Sequence, residues 1–248
     1  MHSLETVELA FDEFGKPGNP PVVIMHGFFA SSRNWRQIAR QLEAKYHVLV
    51  PDLRNHGESP HIAQMDYPHM AADLHDFLDR RGLNNATVIG HSMGGKAAMW
   101  FALHFPERVD KLIIVDIAPV SYRHSFDTLI ESLMELPLEK LSNRKQAEDY
   151  LSEAIPELSF RQFLLQNLVL KDGEYAWKID LDIFKKISPN IISFPELDPF
   201  HAYSKQTLFV TGTESRYILP DYSETVYSLF PDAMIEKIPK AGHWVHAQ

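Results

Sequence analysis

The amino-acid sequence predicts an α/β fold, with a mostly parallel central sheet flanked by helices and an inserted helical cap. Three observations carry this expectation. Short apolar runs alternate with longer helical stretches through the first half, the alternation stops after Pro119, and it resumes at Thr207. Such alternation threads parallel strands through helical crossovers, whereas hairpin barrels show short strands separated by tight turns.

Residues 6–11 alternate apolar and polar, the pattern of an exposed edge strand. The turn-forming stretch Gly15-Lys16-Pro17-Gly18-Asn19-Pro20-Pro21 leads into Val22-Val23-Ile24-Met25, a short run suited to a strand covered on both faces. A helix is expected over 34–43, then a second buried strand over 46–52. Asp66-Tyr67-Pro68 opens a long helix, with Asp66 as cap and Pro68 in the first turn. Its apolar face is Met70, Leu74, Phe77 and Leu78. Residues 86–90 form a third buried strand, 94–104 the following helix, and 111–115 a fourth strand ending on Asp116. From Val120 to about Tyr203 the pattern is almost wholly helical. Phe126/Leu129/Ile130/Leu133 and Phe160/Phe163/Leu164/Leu168 form stripes at spacings of three and four. A strand at 207–211, a helix at 220–229 and a last strand at 233–238 close the chain. The expected division is a core of 1–118 and 204–248 with a cap of 119–203.

The 248 residues contain no cysteine, which excludes disulfides, zinc thiolates and a thiol nucleophile. A chain of this length buries about 70–75% of its unfolded surface, enough to close a pocket. Lys and Arg number 24 against 33 Asp and Glu, a net charge of −9. That balance argues against nucleic acid as a partner, because phosphate contacts need clustered basic side chains. The N-terminal residues lack the basic and apolar regions of a signal peptide, and no apolar run reaches membrane-spanning length, so a cytoplasmic protein is expected.

The strongest chemical signal is Gly90-His91-Ser92-Met93-Gly94-Gly95, a G-x-S-x-G element between an expected strand and an expected helix. That context is what a nucleophile elbow requires: a strained turn whose glycines remove Cβ clashes and leave the serine hydroxyl exposed at the sheet edge. The pentapeptide alone recurs by chance as a glycine-rich turn. The second signal is His26-Gly27-Phe28-Phe29, directly after the first buried strand. Acyl transfer builds negative charge on the substrate oxygen, and preset backbone N–H groups lower that barrier. The N–H groups of Met93 and Phe28 are the candidate donors, although an isolated turn with buried aromatics would have a structural purpose only.

Together these motifs resemble the α/β-hydrolase serine esterases, and most closely the bacterial YbfF-type esterases, a group with relatives in animal mitochondria. Matching strings are His26-Gly27-Phe28, Asp52-Leu53-Arg54-Asn55-His56-Gly57-Glu58-Ser59, Gly90 through Lys96, Val115-Asp116-Ile117-Ala118-Pro119 and Gly242-His243-Trp244-Val245-His246. They span residues 26 to 246. The resemblance implies a carboxylesterase with a helical cap and no cofactor.

A serine hydroxyl needs a base, and His243, after the last strand, completes the order Ser…Asp…His common in this architecture. His246 is its nearest rival and reads better as a surface or packing residue. His26, His56 and His91 belong to their own motifs near the same sheet edge. Many superfamily members carry the acid after the strand leaving the cap, but Gly212-Thr213-Glu214-Ser215-Arg216 holds no Asp. Asp116 can reach the imidazole from the neighbouring strand end, with Glu214 as the alternative. Asp52 is expected to tie its loop to Arg54 by a charge-assisted hydrogen bond. No ligand-spaced cluster suggests a metal, and the Gly95-Lys96-Ala97 sequence does not complete a phosphate loop. Phe160, Phe163, Leu164, Leu168 and Phe200 form either an apolar pocket wall or the core of the cap.

The expected function is a serine carboxylesterase acting on small to medium acyl esters, as monomer or homodimer. Thioester hydrolysis, carbon–carbon hydrolysis or lyase chemistry would use the same residues, and a ligand-binding receptor would use only the pocket. The chain stops five residues after His243. This fold usually continues there with a helix, so its absence would leave His243 mobile and activity reduced.

Overall fold

The computed structural model describes residues 4–198 and 201–245. The elements run β1 (Phe11–Phe14), β2 (Pro21–Met25), α1 (Arg36–Leu42), β3 (His47–Pro51), α2 (Tyr67–Arg80), β4 (Ala86–His91), α3 (Met93–His104) and β5 (Val109–Val115). Then come α4 (Asp127–Met134), α5 (Arg144–Tyr150), α6 (Leu158–Leu164), β6 (Leu168–Lys171), β7 (Glu174–Trp177) and α7 (Leu181–Ile192). The chain re-enters the sheet as β8 (Thr207–Gly212), followed by α8 (Ser223–Leu229) and β9 (Ala233–Ile238).

The central sheet has seven strands in the order β1-β3-β2-β4-β5-β8-β9. Only β1 is antiparallel. Its inner strands read as unbroken apolar runs because both faces are covered. Val23, Met25, Leu49, Val88, Leu112 and Ile114 face the cluster that includes Leu74 of α2 and Phe101 of α3. Their neighbours Val22, Ile24, Val48 and Val50 pack instead against Trp35 and Ala39 on the other side. α2 starts as its sequence implies: the Asp66 carboxylate accepts the His69 N–H at 2.9 Å, and Pro68 sits in the first turn. No helix among the described residues is long and apolar enough to cross a membrane.

Two expectations are corrected. The edge strand lies at Phe11–Phe14 rather than 6–11, pairing Phe11 with Pro51 and Phe14 with Val48. β3 ends at Pro51, so residues before Phe11 run past it and have no ladder to join. They are held singly, as where Asp52 N–H donates to Ala10 O at 2.8 Å. The stretch between β5 and β8 is also not almost wholly helical, since β6 and β7 form an antiparallel hairpin. Its turn is Asp172-Gly173, with φ of 53° and 89°. Both values are positive, as a two-residue hairpin turn demands, and Asp-Gly is the dipeptide that tolerates them. That dipeptide between Leu168-Val169-Leu170 and Tyr175-Ala176-Trp177 was the available signal. The buried residues of this segment, among them Ile130, Leu164 and Phe184, join the larger sheet-face cluster.

Candidate active site

Ser92 sits at the junction of β4 and α3 with φ 53° and ψ −120°. A non-glycine residue holds such a backbone only where its surroundings over-determine it. Here they do: Ser92 N–H donates to Val115 O at 3.1 Å, and Lys96 N–H to Ser92 O at 3.1 Å. The approach depends on two glycines. A Cβ on Gly90 would lie 2.4 Å from Gly94 O, and one on Gly94 would lie 2.4 Å from Met25 O. Both contacts are with backbone that cannot move aside, so the sharp turn requires glycine there.

The register of the sheet carries Asp116 to His243. Val115 of β5 lies opposite His91, which places Asp116 just beyond the strand end, beside the serine turn. His243 Nε2 is 3.1 Å from Ser92 Oγ, and His243 Nδ1 is 2.7 Å from Asp116 Oδ2. Asp116 is fully buried. Its Oδ1 accepts Thr211 Oγ1–H at 2.6 Å and Gly212 N–H at 3.3 Å, while its Oδ2 also accepts Ser215 Oγ–H at 2.5 Å. Every neighbour donates, so the carboxylate acts purely as acceptor and holds the Nδ1 proton on His243. Nε2 is then left to accept from Ser92. Glu214 is exposed and its N–H donates to Ala241 O at 2.9 Å.

Met93 opens α3, and the first N–H groups of a helix have no intrahelical acceptor. Phe28 N–H likewise donates to no acceptor among the described residues. Two bonds brace the Phe28 turn: His26 Nε2 accepts Leu53 N–H at 3.0 Å, and the Asn167 side chain donates to Phe29 O at 2.8 Å. Burial holds His26 below its ordinary pKa, against the opposing pull of Asp52. As a neutral ring it can accept from Leu53 while Nδ1–H donates to Gly27 O at 2.9 Å. His56 packs between Phe28 and Phe184, its ring centroids 5.8 and 4.9 Å from theirs, and burial pushes it well below its ordinary pKa.

Several side chains enter the site without a sequence signal of their own. The Tyr217 ring stacks on His243 with centroids 4.0 Å apart. His91 Nε2–H donates to the His243 carbonyl at 2.9 Å, tying the histidine loop to the serine turn. Thr211 and Ser215 flank Gly212 and donate their hydroxyls to Asp116, and two hydroxyls beside a strand end give little cue in the sequence. Asp52 does anchor its loop, but the expected Arg54 partner is wrong. Its carboxylate accepts Ser32 N–H at 2.6 Å and Glu58 N–H at 2.9 Å. Arg54 turns to Asp73 on the buried face of α2, making two bonds of 2.6 and 2.7 Å. A planar carboxylate facing the guanidinium fork is the better partner.

Ser92 opens into a groove of about 220 Å³, walled by Phe28, Phe29, Phe160, Phe163, Tyr217 and Trp244. Phe160 and Phe163 are thus pocket lining, whereas Leu164 and Leu168 are fully buried core. His246 and Phe200 lie outside the described residues. No group of His, Asp and Glu suited to a metal occurs among the described residues.

A mostly parallel sheet that presents a serine on a positive-φ strand-to-helix turn defines the α/β-hydrolase class. A family profile described as alpha/beta hydrolase fold matches residues 20–248, and the chain belongs to that family. It is 39% identical to the sn-1-specific diacylglycerol lipase ABHD11 of Danio rerio, over 100% of this chain and 80% of that protein. It is 37% identical to esterase YbfF of Escherichia coli strain K12, over 93% of this chain and 88% of that protein. A solved marine microorganism esterase superposes with a TM-score of 0.94 at 39% identity, covering 98% of this chain and 95% of that one. The chain is an enzyme of the carboxylic ester hydrolase class.

Proposed function

We propose that this enzyme hydrolyses small to medium acyl esters through a Ser92-His243-Asp116 triad and an acyl-enzyme, with Phe28 and Met93 N–H groups as the oxyanion hole. The observation that carries it is the unbroken hydrogen-bonded line from Ser92 Oγ through His243 to Asp116, at 3.1 and 2.7 Å.

His243 Nε2 takes the Ser92 proton as Oγ attacks the ester carbonyl. The carbonyl oxygen becomes an oxyanion facing the two backbone donors, while Asp116 offsets the positive charge forming on the imidazole. Collapse of the tetrahedral intermediate breaks the bond to the alcohol, which leaves with the proton held on Nε2. Water, deprotonated by the same nitrogen, attacks the acyl-enzyme and releases the acid. The segment 119–203 serves as a cap whose Phe160 and Phe163 complete the apolar groove.

Turnover of a p-nitrophenyl acyl ester by wild type and by Ser92→Ala tests this. Loss of nearly all turnover in the variant is expected, and equal rates would overturn the assignment.

A further inference from the structure

The turn that carries the Phe28 N–H is held in a conformation its residues do not favour. Ala30 N–H donates to Gly27 O at 3.1 Å, closing residues 27–30 into a turn, and Phe29 in its third position has φ 63°. A turn with positive φ at that position ordinarily takes glycine, and a bulky residue keeps such a backbone only under outside constraint. The constraint comes from far along the chain. Asn167, between α6 and β6 and 5% exposed, donates its side-chain N–H to Phe29 O at 2.8 Å. A carbonyl only accepts, so the amide must turn its NH2 toward it. The same NH2 reaches Leu164 O at 3.3 Å, and the Asn167 carbonyl accepts the N–H of Lys178, just after β7, at 2.8 Å. Asn167 is thereby fixed to the end of α6 and to the base of the β6–β7 hairpin.

Three further contacts reach the same part of the core from the segment 119–203. Phe28 stacks on Phe184 of α7 with centroids 4.6 Å and planes 16° apart, Phe126, just before α4, lies 5.2 Å from Phe28, and Gln166 Oε1 accepts Asn34 Nδ2–H at 3.0 Å. Of these four contacts only the Asn167 bond grips the backbone of the turn. Ring packing tolerates sliding, whereas a hydrogen bond weakens steeply off its line. Asn167 therefore decides where the peptide planes of the turn point. With that bond gone, Phe29 relaxes toward negative φ and the Phe28 N–H swings away from the place where it faces Ser92.

Resting on the esterase assignment and on 119–203 as the cap, we propose that Asn167 is a positioning residue for the oxyanion hole: by gripping Phe29 it aims the Phe28 N–H, so the hole is complete only while the cap is seated on the core. Cap and chemistry then form one unit. An ester that enters with the cap lifted meets Ser92 one oxyanion donor short, and seating the cap over it supplies the second. Asn167 touches no reacting atom and acts through the turn alone.

The test is Asn167→Leu, which keeps the size and deletes the donor, in steady-state hydrolysis of p-nitrophenyl butyrate. kcat should fall on the order of tenfold with KM little changed, short of the ~10²–10³ that outright loss of an oxyanion donor costs. An alkyl trifluoromethyl ketone, which Ser92 converts into an oxyanion adduct, should lose affinity by the same factor. In a Phe29→Gly background positive φ carries no penalty, so the same Asn167→Leu exchange should cost about threefold or less. An equal loss in both backgrounds would mean that Asn167 only supports the fold of the cap, and would overturn the proposal. A kcat within about twofold of wild type, or a rise in KM alone, overturns it too. Should Asn167→Leu fail to fold by circular dichroism, Asn167→Ser, too short to reach the carbonyl, is judged by the same outcomes. Turnover that is lost in Ser92→Ala but untouched in the Asn167 variant defeats the positioning proposal and leaves the esterase assignment standing. No turnover of any ester by wild type defeats both.

Discussion

Replacing Asp116 by Asn removes the charge while keeping the shape, and the backbone does not confound the result. Asp116 has φ 53°, a conformation that Asn also accepts readily. The four donors around the carboxylate decide how the amide sits. With its NH2 at the Oδ1 position it would face the fixed Gly212 N–H, a donor against a donor. With its NH2 at the Oδ2 position it faces Ser215 Oγ, which can rotate to accept, and His243 Nδ1, which can shed its proton. The second placement is the cheaper one. It moves the imidazole proton to Nε2, where the ring can no longer accept from Ser92 at 3.1 Å. An Asp→Asn exchange that traps the wrong tautomer in a serine-protease triad costs ~10⁴ in kcat. The same order is expected here, about 5 kcal/mol in the barrier. KM should change little, because Asp116 touches no substrate. The assay is steady-state hydrolysis of p-nitrophenyl butyrate by folded protein, with circular dichroism as the folding check. A kcat within about tenfold of wild type would refute the tautomer reasoning and move attention to Glu214.

Removing the guanidinium in Arg54→Met strands the Asp73 carboxylate, whose side chain is 1% exposed. Breaking a buried pair costs about 3–5 kcal/mol, read as a fall in the denaturant midpoint. Burial already holds Asp73 above its ordinary carboxyl pKa despite Arg54. A folded-state value above the unfolded one means stability rises as pH falls through it, so the deficit should be largest at neutral pH and shrink in mild acid. A deficit that grows in acid would refute this. His91→Leu removes the donor to the His243 carbonyl and should lower kcat by about tenfold, about 1.4 kcal/mol, with partial recovery in His91→Gln. Unchanged kcat in His91→Leu would show that the histidine loop holds its place without that bond.

The elbow was legible because its chemistry is local. Gly90, Ser92 and Gly94 meet within one turn, and the flanking strand and helix announce themselves by apolar period. The parallel strands were legible for the same reason, being buried on both faces. The β6–β7 hairpin was missed because four-residue strands give almost no period and the Asp172-Gly173 signal was outweighed by helical stripes on either side. Arg54 was paired with the wrong acid because Asp52 is near in sequence, while Asp73 comes near only when α2 packs against the sheet.

The sequence by itself determined the fold class and the serine turn. Those properties depend on local backbone sterics and on side-chain periodicity, which neighbouring residues fix. Only the tertiary structure decided which carboxylate meets His243, because Asp116 and Glu214 differ in where their strand ends fall across the sheet. It alone also placed Tyr217 on the imidazole, His91 under its carbonyl and Lys96 against the carbonyls that end α7. Each of these contacts joins distant segments, and the register of β4, β5 and β8 with the closure of α7 onto α3 sets their distances.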